Sequence, residues 1–74
     1  MLIIENNRIR IMFSKHFYKR ELINAAIPIY ENICSISITD KRDFIQVSLI
    51  PMQKTIDLKE LGYEFSNYVL SMHK

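Results

Sequence analysis

A chain of 74 residues, 49% hydrophobic and 24% charged, with a formal net charge of +2, reads as one small globular domain and not as a disordered or fibrous segment. Its single cysteine, Cys34, excludes an internal disulfide, and one cysteine with two histidines, His16 and His73, is poor material for a four-ligand zinc site. A core this small is marginal, so a partner or self-association is the expected source of extra stability.

The N-terminal "MLIIENN" lacks the basic start and long apolar run of a signal peptide. The longest apolar run, "AAIPIY", is far short of the roughly 20 residues of a membrane span, so a cytoplasmic protein is expected. The segment "LII" either extends the strand that follows or is turned back on it at Asn6-Asn7; the pattern allows both. In "RIRIMF", Ile9, Ile11 and Phe13 alternate with Arg8, Arg10 and Met12, the period of a strand covered on one face. Arg8, Arg10, Lys15, Lys19 and Arg20 follow one another with no acid between Asn6 and Glu21. That run suits either a solvated strand edge and helix start or an acidic partner.

"KRELINAAIPIYENI" has helical spacing, with Leu22, Ala26, Ile29 and Ile33 near one stripe and Ile23, Ile27 and Tyr30 flanking it. Pro28 predicts a kink, because it removes one backbone hydrogen bond while the apolar spacing continues beyond it. "CSISIT" and "FIQVSLI" alternate again and are joined by the polar "DKRD", a hairpin ended by Pro51. Asp57 with Glu60 has capping-box spacing and opens a last helix, whose Leu58, Leu61, Phe65, Tyr68, Val69 and Met72 form the docking stripe.

The predicted order is β-α-β-β-α. This is an α+β two-layer sandwich, a three-stranded, mostly antiparallel sheet with two helices on one face. The other face would present Arg8, Arg10, Met12, Ser35, Ser37, Thr39, Phe44, Gln46, Ser48 and Ile50, a mixture that fits a partner surface or a homodimer seam. Unprotected sheet edges offer a second docking mode, in which an extended peptide adds as another strand beside the basic first strand. Tyr63, Glu64 and Asn67 form a polar-aromatic strip beside the docking stripe of the last helix, and a second partner contact is expected there. Cys34, His16 and His73 sit in no catalytic signature, so a non-enzymatic binding role with no cofactor is expected. The alternatives are a nucleic-acid-binding module, on the basic run and Phe44, and a purely structural homodimer.

"FYKRELINAA" and "LGYEFSNYVL" resemble the small His-Xaa-Ser system proteins, the HxsD-like family, encoded beside radical S-adenosylmethionine enzymes in peptide-maturation systems. The resemblance runs from about Phe13 onward. The matching positions are Tyr18, Ala25 and Ala26 in the first helix, then Glu64, Phe65, Asn67 and Leu70 in the last. It implies an accessory protein that binds a precursor peptide or the radical SAM enzyme and carries no catalytic residue set of its own. Where relatives continue with polar residues and an arginine, this chain has "SMHK", so no role is carried over for that stretch.

Overall fold

The computed structural model describes residues 1–73. Its elements are β1 (Leu2–Ile4), β2 (Ile9–Ser14), α1 (Arg20–Tyr30), β3 (Cys34–Asp40), β4 (Phe44–Pro51) and α2 (Leu58–Ser71). The architecture is α+β, and the antiparallel sheet has four strands in the order β1-β2-β4-β3, not the three expected. "LII" is the additional strand. Asn6-Asn7 turns it back, Glu5 N–H donates to the Arg8 carbonyl at 2.9 Å, and Leu2 pairs with Ile11. The turn contains no glycine and no residue with positive φ, so the usual hairpin signal is missing from the sequence.

Alternation decides which strand residues are buried. Ile9, Ile11 and Phe13 of β2 and Ile45, Val47 and Leu49 of β4 are buried, and Cys34 of β3 joins them. Both helices lie on that face. From α1 the buried side chains are Ile23 and Ala26; from α2 they are Leu61, Phe65 and Val69. The α1 stripe is therefore turned from the expected one: Ile29 is 54% exposed. The helix also runs through Pro28 and stops two residues later, so Ile33 lies outside it and packs on the core from the connection into β3. Pro28 has no N–H to give the Asn24 carbonyl four residues back, and α1 ends two residues beyond it.

Asp57 caps α2 as its spacing predicted, with Oδ1 accepting from Lys59 N–H at 2.9 Å and Glu60 N–H at 3.3 Å. An aromatic chain links the two layers. Tyr18 meets Phe13 at 4.9 Å between centroids, Phe13 meets Phe65 at 6.2 Å, and Phe65 meets Tyr30 at 5.2 Å, edge to face in the first and last.

Candidate functional site

The face of the sheet opposite the helices has no layer over it. Cross-strand pairing lays it out in rows: Ile3–Arg10–Ser48–Ser37 across the middle, Met12–Gln46–Thr39 beside it, and Ser14–Phe44 at one end. Ile3, Met12, Phe44 and Ile50 are half-buried by their neighbours, and Ser48, in the middle of the central row, is only 6% exposed. The expected polar–apolar mixture is thus gathered on one continuous surface.

Charge on that surface is concentrated at one corner. Arg8 and Arg10 both reach Glu5, at 3.6 and 3.2 Å. One carboxylate thus serves two guanidinium groups, leaving a net positive corner. The Nε of Arg10 is buried and donates to no group of the chain. Unpaired buried donors are uncommon, and this one lies on the uncovered face.

The basic run from Arg8 to Arg20 is not a single patch. Lys15 and Arg20 both bind Asp40 at the far end of β3, so four of its five cations are shared between two carboxylates that lie outside the run in sequence. The Lys15 hydrogen bond, with the charges of Lys15 and Arg20, holds the Asp40 carboxyl below the usual carboxylate range. A lowered carboxylate pKa favours the folded state above the unfolded pKa of about 3.9. That contribution disappears as pH falls through the lower folded value. Acid titration of Asp40→Asn, followed by circular dichroism, should therefore show a shallower loss of stability below about pH 4 than the parent.

The six expected partner residues do not form one site. Arg8 and Arg10 share a corner, while Phe44 pairs with Ser14 at the opposite end of the open face, about 13 Å along the strand from the Arg10 row. Tyr63, Glu64 and Asn67 are on α2, behind the sheet. They also diverge from one another. Tyr63 flanks a shallow groove beside Leu2 and Ile11, whereas Glu64 flanks another beside Ile33 and Thr55. Tyr63 and Leu70 are each about half exposed, with Asn67 exposed between them on the outer face of α2. Glu64 instead acts on Tyr30, whose phenol is pushed above its ordinary range by burial first and by the Glu64 charge second.

The edge next to the basic first strand is already occupied, since β1 pairs along β2. An incoming strand there would meet only three-residue β1. The long free edge is β3.

His73 is held on both ring nitrogens. Nδ1–H donates to the Val69 carbonyl and Nε2 accepts from Lys19 N–H, each at 2.9 Å, and the ring stands 5.4 Å edge-on from Tyr18. A carbonyl only accepts, so the Nδ1–H tautomer is fixed. The ring ties the end of α2 to Lys19, the N-cap of α1, which has no side-chain cap. His73→Ala should cost about 1 kcal/mol in a denaturant melt and speed amide exchange at Lys19. His16 is exposed on the turn after β2, next to Phe17. Cys34 is 1% exposed, lies 3.3 Å from the Tyr30 carbonyl, and has its thiol pKa raised by burial. That is the setting of a protonated structural thiol.

Among the described residues, no three His, Cys, Asp or Glu side chains converge as a metal site. Nor is any helix among them long and apolar enough to cross a membrane. Comparison of the chain with protein-family models, curated proteins and solved structures finds no match.

Proposed function

We propose that this is a non-catalytic binding protein of a peptide-maturation system, whose working surface is the uncovered sheet face. The observation that carries the reading is the corner of that face, where Arg8 and Arg10 share the single carboxylate of Glu5 beside the half-buried Ile3 and Met12. A partner with a carboxylate flanked by apolar side chains satisfies both features. The resemblance of "FYKRELINAA" and "LGYEFSNYVL" to HxsD-like proteins supplies the partner class: the precursor peptide or the radical SAM enzyme that modifies it. With a single cysteine, the chain would serve beside such an enzyme and not hold an iron–sulfur cluster itself.

Arg10→Glu should weaken association with the enzyme or precursor peptide encoded beside this gene by at least tenfold and flatten its salt dependence, read by titration calorimetry across ionic strength. Unchanged affinity would remove the open face from the account. A gene neighbourhood without a radical enzyme would remove the peptide-maturation role. The nucleic-acid alternative gains less from the geometry. Its basic run is split between Glu5 and Asp40, and the open face carries one aromatic, Phe44, half-buried at one end.

A further inference from the structure

We infer that two copies of this chain join edge to edge through β3, in an antiparallel register centred on Ser37, to make one continuous sheet. The inference does not rest on the proposed peptide-maturation partner.

The two edges of the sheet differ. β1 is three residues long, a short edge of the kind that discourages further pairing. β3 pairs without a bulge from Cys34 to Asp40 and contains no proline, glycine or lysine. Lys41 N–H donates to Phe44 and Met52 N–H to Ile33, so odd-numbered residues of this strand direct their backbone groups toward β4. The N–H and C=O groups of Cys34, Ile36, Ile38 and Asp40 therefore point off the free edge.

The strand is self-complementary. "SISIT" reads hydroxyl–Ile–hydroxyl–Ile–hydroxyl in both directions about Ser37. A two-fold axis at Ser37 sets Ile36 against the partner copy's Ile38 on the helix side. On the open side it sets Ser35 against Thr39 and Ser37 against its own copy. Each row pairs residue i with j and j with i, as an isologous contact requires, and the outermost row sets Cys34 against Asp40, whose carboxylate is held by Lys15 and Arg20. The backbone groups left free by the monomer are the ones this register pairs. Ile36 and Ile38 are only half-buried, although their neighbours across β4, Leu49 and Val47, are fully buried, and a second copy covers them.

Charge agrees with the antiparallel sense. Glu31 precedes β3, while Lys41, Arg42 and Asp43 follow it, all exposed and outside the ion pairs found among the described residues. Antiparallel pairing brings the single acid before each strand to the net positive end of the other, and parallel pairing would set like charges together.

Cysteine cross-linking tests the register, and sedimentation velocity tests the state. The parent chain should sediment as a dimer at tens of micromolar. Ser37→Cys should form a covalent dimer under mild oxidation, because the two Ser37 positions face each other at close range. Ser35→Cys should not link to itself, its copies lying about 13 Å apart along the strands, but should link when mixed with Thr39→Cys. Ser37→Lys should sediment as a monomer with an unchanged circular dichroism spectrum. A parent chain that stays monomeric at several hundred micromolar overturns the inference. So does a dimer in which Ser35→Cys links to itself, or one that survives Ser37→Lys.

Discussion

Replacing Phe65 with alanine is expected to lower the stability of the domain by about 3–5 kcal/mol, the range for truncating a fully buried phenylalanine. The ring has no exposed surface and stands between Phe13 and Tyr30, so its removal strips one side from each. The surrounding groups come from the sheet and both helices, and a gap at such a junction collapses only by moving whole elements. In a domain of this size that loss is a large share of the total stability. Chemical denaturation should show a midpoint shift with little change in slope. An unshifted midpoint would mean that α2 is not docked through this residue.

The second large effect concerns Gly62, where α2 passes close against Ile9 of β2. A Cβ there would overlap Ile9 Cδ1 and lie 3.3 Å from its Cγ1. Alanine gains about 1 kcal/mol in helix propensity over glycine, but overpacking a filled core costs about 1–3 kcal/mol. Ile9 is fully buried, so its end methyl has little room to withdraw. Gly62→Ala should therefore destabilise by about 1 kcal/mol on balance. Adding Ile9→Val removes the methyl that clashes. The double variant should be more stable than the sum of the two single changes predicts, by about 1 kcal/mol or more. Additive behaviour would show that the approach of helix to strand is looser than described.

Much of this fold was legible because the sheet is covered on one side. Period two in "RIRIMF" and "FIQVSLI" separates Ile9, Ile11 and Phe13, and Ile45, Val47 and Leu49, from residues on the open face, and burial follows that division except at Ser48. Three residues carry too little periodicity to declare a strand, so β1 was undecided, and its turn used neither glycine nor positive φ. The stripe expected in α1 extends to Ile33, but the helix ends at Tyr30, and within it Ile23 and Ala26 face the core while Ile29 does not. The place of Gly62 has no signal in the sequence, since close approach of backbone to a side chain is a three-dimensional fact.

The candidate site was less legible. The residues of the open face followed from alternation, but the division of the basic run did not, because Glu5 reaches Arg10 only through the β1–β2 hairpin and Asp40 reaches Lys15 and Arg20 only through the return of β3. The separation of Tyr63 from Glu64 was available in principle, since neighbours on a helix point about 100° apart. The anchoring of His73 had no such signal, as Lys19 is 54 positions away in sequence.

The central claim, that the uncovered sheet face receives the partner, is tested most directly by amide and methyl chemical-shift mapping of the labelled protein titrated with the unlabelled proposed partner, a precursor peptide or a radical SAM enzyme. The account predicts that the shifts cluster on Ile3, Arg8, Arg10, Met12 and Gln46, with the outer face of α2 silent. Shifts confined to Tyr63, Asn67 and Leu70, or no shifts at saturating partner, would contradict it.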